Sequence, residues 1–291
     1  MEKILQTVNG VVWGVPALLG ILGVGLYLSI RTGLIQLRLL PKAIRAFFKT
    51  FQRKEHKDEG VSPFQALCTA LAATVGTGNL AGVAGAIAIG GPGAIFWMWI
   101  STILGMVTKF AEATLSVRYR EKNEAGEWVG GPMYMIRNAM GSRWQWLAVV
   151  YCFFGVVAAF GVGNATQINT VIGGVNQAVA AFGGTESTLG NLLMGVLLAV
   201  LVCGILLGGL KKIGTMAEKL VPFASVCYLL LGLGVLIARV QVIPQALTAI
   251  VTGAFSPRAV TGGMVGSFFT GLRTGVSRGV LTNEAGMGTA G

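Results

Sequence analysis

The stretch "ATVGTGNLAG", Ala73 to Gly82, contains three glycines and an asparagine. It lies inside a run of 49 consecutive uncharged positions, 60–108. One crossing of the hydrocarbon core needs about 20 apolar residues, so this run is long enough for two crossings and a turn. Glycine weakens a helix, and a buried amide needs a partner, so residues of this kind are unusual near the middle of a membrane helix.

The composition is that of an integral membrane protein. Hydrophobic residues make up 54% of the 291 residues, charged residues 11%, and the mean hydropathy is +0.72. A soluble domain carries about 25% charged residues. The formal charge of +11 is spread over short segments between apolar runs, which is typical of a topology signal rather than of a nucleic-acid-binding module.

Side-chain chemistry for catalysis is not evident. The four cysteines fall within apolar runs, and the single histidine, His56, lies in a segment rich in lysine and glutamate. This spacing favours neither a disulfide framework nor a zinc site. We find no Ser/His/Asp set, phosphate loop or metal cluster, so we expect a protein that is not an enzyme and has no cofactor.

Charge-free stretches bounded by glycine, proline or charge predict seven spans, a preliminary one and core spans one to six. They are about 11–30, 62–89, 94–117, 144–169, 189–210, 220–237 and 262–282. "GGPG" at Gly90 to Gly93 predicts the turn between core spans one and two, because proline ends the incoming helix.

The distribution of lysine and arginine predicts the orientation. Segments 31–57, 118–143 and 211–219, with Arg273 and Arg278 at the predicted inner end of core span six, carry 18 of the 22 basic residues. Lys3, Arg239 and Arg258 lie on the opposite side. Cytoplasmic loops are the richer in basic residues, so the amino terminus is predicted outside. The inner side is thus the predicted cytoplasmic side, and the outer side is the opposite one.

Two inner segments are predicted to lie on the membrane surface. "LRLLPKAIRAFFKTFQRK", Leu37 to Lys54, mixes leucine, isoleucine and phenylalanine with arginine and lysine. This pattern is typical of an interfacial helix facing anionic lipid. "GGPMYMIRNAM", Gly130 to Met140, is predicted to form a second such helix.

The interruption in core span one has two interpretations. A break exposed to lipid would leave backbone groups unpaired, so a broken helix must face protein or a water-filled cavity. Its free N–H groups suit a carboxylate, and its free carbonyls suit a cation such as sodium. Alternatively, the glycines at 76, 78, 82 and 85 belong to a small-residue surface for helix packing. Asn79 favours the broken helix.

Several motifs carry a resemblance to a known family. "GGPGAIFWMWISTILG" at Gly90 to Gly105 resembles the signature of the alanine or glycine:cation symporter family, also called sodium:alanine symporters. Further segments resemble that family in order, almost from end to end: "GTGNLAG" at 76–82, "GGPMYMI" at 130–136, "NATQINT" at 164–170 and "TNEAGMGTA" at 282–290.

The resemblance implies an all-α polytopic membrane protein with a leucine-transporter-like inverted-repeat fold of ten core helices. We therefore expect a chain truncated after the sixth core helix, with three parts. These are a preliminary helix and basic amphipathic segment at 1–61, the first repeat with core helices one to five at 62–239, and an external segment with the first helix of an incomplete second repeat at 240–291.

The resemblance also implies a binding site. The N–H groups of Thr77 and Gly78 receive a substrate carboxylate, with Asn79 nearby. The carbonyls of Ala72 and Val75 supply part of a sodium site.

Two more elements complete the implied site. Gln167 contacts the substrate ammonium group through its amide oxygen, although polar contact between helices is the alternative. "TGGMVGSFF", Thr261 to Phe269, forms a second break that brings Gly263 and Met264 to the substrate. Met264, Phe268 or Phe269 caps the substrate methyl group.

The implied function is sodium-coupled symport of alanine, glycine or a similar small amino acid across the cytoplasmic membrane. The partners are the amino acid, sodium and the lipid bilayer. The alternatives are an uncoupled permease or channel and a truncated membrane protein that does not transport. Lys109 and Glu112 are spaced for an intrahelical pair with a structural or gating role.

Overall fold

The computed structural model describes residues 7–8, 10, 13–52, 62–124, 126, 128–255 and 264–289. These residues are helical apart from short connections and one two-stranded hairpin. The α-helices in chain order are α1 Val15–Arg31, α2 Ile35–Arg38, α3 Leu40–Gln52, α4 Pro63–Thr74, α5 Val83–Gly90, α6 Gly93–Tyr119, α7 Pro132–Met140, α8 Gln145–Phe160, α9 Thr166–Ala181, α10 Thr188–Leu206, α11 Gly209–Ala238, α12 Ile243–Phe255 and α13 Met264–Asn283.

Shorter elements link these helices. Two π-helices lie at Gly78–Gly82 and Gly161–Ala165, and two 3-10 helices at Ser142–Trp144 and Val240–Val242. Strands β1 Glu121–Lys122 and β2 Trp128–Val129 pair antiparallel.

The chain is an all-α, multi-pass membrane protein. Within the described residues, four helices are long and apolar enough to cross a membrane, and the bent pair α4–α5 makes a fifth. Helices also form where the remaining two spans were predicted, but both fall short of the length or hydropathy expected of a span. α1 has 17 residues, and α13 is rich in glycine, serine and threonine and contains two arginines.

Two helices are longer than predicted. The chain stays helical from the start of α8 to the end of α9 because no charge or proline interrupts it before Ala181. The segment 211–219, predicted as a loop, is instead the first part of α11. Its charges mark the boundary of the apolar region, but lysine and glutamate are good helix formers and do not end the helix.

No helix was expected between core spans five and six, yet α12 forms there and packs against α6. Gly93 and Gly253 form this crossing. A methyl group on Gly93 would lie 2.3 Å from the carbonyl carbon and oxygen of Gly253. Only glycine allows the two backbones to approach this closely.

A glycine seam, Gly271, Gly275 and Gly279, packs α13 along α6. These glycines lie one helical turn apart, so they face the same side. Added methyl groups would come within 3.0 Å of the Gly90 carbonyl oxygen, 2.3 Å of the Ala94 carbonyl oxygen and 2.0 Å of Ser101 Oγ, respectively. The order of these contacts shows that α13 runs parallel to α6.

This packing corrects the predicted place of Arg278. A methyl group at Gly82 would lie 3.8 Å from Arg278 Nη1, and the adjacent Gly279 packs on Ser101, eight residues after the start of α6. Arg278 therefore lies beside other helices rather than at the inner end of α13, and Arg273, five residues earlier, is still further from that end. The other predicted inner segments still contain most of the basic residues, so the predicted orientation does not change.

The segments predicted to lie on the membrane surface are helical, as α2, α3 and α7. The loop between α6 and α7 is held by an ion pair between Glu121 and Arg137, which is the only ion pair within the described ranges. Arg137 and the Asn138 amide hold the pKa of the exposed Glu121 carboxyl below its ordinary value. Trp128 lies under Arg120, with the guanidinium carbon 4.3 Å from the ring centroid.

Candidate functional site

Core span one is broken at Val75 to Thr77. α4 begins with a capping box at Ser62 and ends at Thr74, where the N–H of Val75 still donates to Leu71 O at 2.7 Å. The following π-helix starts at Gly78 without a side-chain cap, and the two halves meet at an angle of 48°. The helix is therefore interrupted where the glycines of "VGTGN" predicted a break.

Gln167 lies directly against this break. It is the second residue of α9, just after the π-helix Gly161–Ala165. Its Oε1 accepts a long hydrogen bond of 3.4 Å from the N–H of Thr77. A methyl group on Gly76 would lie 3.1 Å from its Nε2, so the amide packs closely on the Gly76 backbone.

The space beside Gly78 is open. A methyl group added there would meet no atom within 4 Å, and the backbone φ of Gly78 is not positive. Asn79 is half-buried, and its N–H donates to Gly76 O at 3.1 Å. The Asn79 side-chain amide forms no hydrogen bond to any described residue. Gly78 and Asn79 thus border an open, polar region at the first turn of a helix, where N–H groups lack helical partners.

The predicted cation ligands lie at the other side of the break. Ala72 is in the last turn of α4, and Val75 is the residue that follows the helix. Carbonyls at the end of a helix lack helical partners and carry partial negative charge, which suits sodium. The described part of the chain has no cluster of three or more His, Cys, Asp or Glu side chains that could hold a metal.

The second predicted break is described only in part. Gly263 lies outside the described residues, and Met264 is the first residue of α13. α13 packs against α5 and the π-helix Gly78–Gly82, so this helix does reach the side of the site. The Phe268 ring contacts Trp97 of α6, with centroids 5.9 Å apart, while Phe269 is mostly exposed.

The two halves of the broken span pack in different groups. The inner half, α4, packs mainly against α11, whereas α5 packs against α6 and α13. A hydrogen bond of 2.8 Å from Gln65 Nε2 to Glu218 Oε2 ties α4 to α11. The break therefore lies between two packing units, which is where a hinge would have to be.

The predicted pair of Lys109 and Glu112 is wrong. The two side chains do not come within ion-pair distance of each other. Lys109 Nζ donates to Glu284 O at 3.3 Å, and Glu112 Oε1 accepts from the Gly288 N–H at 3.1 Å. The backbone after α13 offers each group a partner that its own helix does not. In the sequence, only the family motif "TNEAGMGTA" marked this segment.

Comparison with known proteins agrees with this architecture. The family model described as "Sodium:alanine symporter family" matches residues 1–291. The "Sodium/alanine symporter AgcS" of Methanococcus maripaludis is 43% identical over 99% of this chain and 61% of its own length. An "Uncharacterized transporter" of Haemophilus influenzae is 42% identical over 100% of this chain and 61% of its own. The "Probable sodium/glutamine symporter GlnT" of Bacillus subtilis is 36% identical over 100% of this chain and 57% of its own.

The chain thus spans about three fifths of the length of these curated relatives. Its match to the family model covers every residue. The chain belongs to the sodium:alanine symporter family.

Proposed function

We propose that this chain forms the substrate-binding part of a sodium-coupled symporter for alanine, glycine or a similar small amino acid. The transporter acts in the cytoplasmic membrane and has a leucine-transporter-like inverted-repeat fold. The observation that carries this proposal is the broken helix at Val75 to Thr77 facing Gln167. The name of the Methanococcus relative, a sodium/alanine symporter, supports the same substrate and ion.

The amino acid binds at the outer side of the break. Its carboxylate accepts from the N–H groups of Thr77 and Gly78, where the helix dipole favours negative charge and the space is open. Gln167 Oε1 turns from the Thr77 N–H to the substrate ammonium group. The present bond of 3.4 Å is long, so little is lost in this exchange.

Sodium binds at the inner side of the break. The carbonyls of Ala72 and Val75 contribute two oxygens, and sodium needs several, so the remaining ligands come from other elements. Because the carbonyls and the N–H groups belong to the same interrupted backbone, an ion on one side fixes the geometry of the other. Sodium therefore favours the conformation that binds the amino acid.

Selectivity for a small side chain comes from the start of α13. The family resemblance implies that Gly263 and Met264 lie beside the substrate, and that Met264, Phe268 or Phe269 limits the room for its side chain. Extra methylene groups would clash with this apolar cap.

Alternating access follows from the packing of the two half-helices. α4 moves with α11, and α5 remains with α6 and α13, so the break opens and closes as these units move.

The division into 1–61, 62–239 and 240–291 separates the preliminary segment, the first repeat and the start of the second repeat.

A linkage experiment tests the function. In the purified native polypeptide that contains this chain, calorimetry should show that sodium raises the affinity for alanine, and that alanine raises the affinity for sodium by the same factor. Potassium at equal ionic strength is the control. Alanine binding without any sodium effect would instead support an uncoupled permease.

A further inference from the structure

After α13 the chain continues along the inner part of α6, where Ala285 lies against Gly105 and Gly288 against Glu112. We name residues 284–289 the inner loop. Glu284, Gly286 and Gly288 in this loop have positive φ angles of 50°, 81° and 76°. The left-handed conformation is easy for glycine but strained for glutamate. A strained residue persists only where surrounding contacts hold it, so the inner loop must be held from outside.

Two side chains of α6 hold the inner loop. Lys109 Nζ reaches both ends of it, donating to Glu284 O at 3.3 Å and to Thr289 Oγ1 at 3.2 Å. Between these ends, Glu112 Oε1 accepts from the Gly288 N–H at 3.1 Å, and the Gly286 N–H faces the same carboxylate. Left-handed residues alternating along a loop turn successive N–H groups to one side, which makes a concavity for an anion. Glu112 fills this concavity.

A third side chain reaches the inner loop from α8. The Tyr151 hydroxyl donates to Gly288 O at 3.1 Å, and a methyl group on Gly288 would lie 2.6 Å from the tyrosine oxygen. Gly288 thus binds α6 through its N–H and α8 through its carbonyl. The bonds to α6 involve charged groups and are the stronger ones, whereas the bond to Tyr151 is between neutral groups.

We propose that the inner loop is a latch that closes the inner side of the protein by joining α6 and α13 to α8. When the inner side opens, the hydrogen bond from Tyr151 to Gly288 breaks, while Lys109 and Glu112 keep the loop on α6. The latch rests on the proposed function only because transport requires an inner opening.

The test measures access to the inner loop. Met287→Cys is introduced into the native polypeptide that contains this chain, with the four native cysteines replaced, and is labelled in inside-out vesicles with a membrane-impermeant maleimide. Tyr151→Phe keeps the ring but removes one neutral hydrogen bond, so labelling should become about 2- to 10-fold faster. Tyr228→Phe is the matched control, because the Tyr228 hydroxyl is not bonded to any described residue.

Three results would overturn the latch. They are an unchanged labelling rate in Tyr151→Phe, an equal increase in Tyr228→Phe, and labelling only in right-side-out vesicles. These measurements need no ligand. If added alanine and sodium leave the labelling rate unchanged while Tyr151→Phe still raises it, the result contradicts the proposed function but not the latch.

Discussion

Replacing Gly78 with alanine should weaken substrate binding without weakening the fold. A methyl group at this position meets no protein atom within 4 Å, and the backbone conformation suits alanine. Alanine is favoured over glycine in a helix by about 1 kcal/mol. Gly78→Ala should therefore leave the midpoint of thermal unfolding unchanged or raise it slightly.

The expected loss of affinity follows from the open space itself. If the substrate carboxylate lies against the Gly78 backbone, the new methyl group obstructs its approach to the N–H group. Losing a hydrogen bond to a charged group costs about 1.5–3 kcal/mol. That range corresponds to alanine binding that is about 10- to 150-fold weaker.

Gly85→Ala is the matched control. Gly85 lies in α5, and a methyl group there also meets no atom within 4 Å. Isothermal titration of alanine in the presence of sodium gives the affinity, and thermal unfolding of the same samples gives the stability. Equal affinities for Gly78→Ala, Gly85→Ala and the unaltered protein would refute the carboxylate site and favour simple helix packing.

Three further predictions concern topology, packing and the substrate amine. An impermeant maleimide should label Arg239→Cys but not Arg45→Cys from outside intact cells, because basic loops face the cytoplasm. The reverse labelling pattern would show that the predicted orientation is wrong. Gly93→Ala should lower the free energy of unfolding by about 1–3 kcal/mol, because the added methyl group forces α6 and α12 apart. A thermal midpoint equal to that of Gly85→Ala would contradict this close crossing. Gln167→Leu should weaken alanine binding about 10-fold or more. The thermal midpoint should change little, because the hydrogen bond that is lost from the free protein is long. Unaltered alanine binding would show that Gln167 only packs against the break.

The sequence predicted features that local chemistry controls. The break at Val75 to Thr77 and the turn at "GGPG" both follow from glycine and proline within an apolar run. The amphipathic segment that forms α3 follows from its alternation of basic and apolar residues. In each case a few neighbouring residues carry the information.

Features that join distant parts of the chain were harder to predict. The contact between Thr77 and Gln167 spans 90 positions, and only the family resemblance placed these two residues in one site. Lys109 and Glu112 have the spacing of a pair, but the backbone of residues 284–289 competes for both. The predicted start of core span five was too late because charge ends an apolar stretch without ending a helix.

The uninterrupted helical run from Ser142 to Ala181 has a consequence for the surrounding lipid. Its 40 residues extend about 60 Å, twice the thickness of about 30 Å of a bilayer's hydrocarbon core. A tilt of 40°, the upper end of the usual range, still leaves about 46 Å along the bilayer normal. The bilayer must therefore thicken around this run, or its ends must emerge into the headgroup region. If the bilayer thickens, the activity should depend on the acyl-chain length of the lipid, with longer chains fitting this helix better; if the ends emerge, the activity should not depend on it.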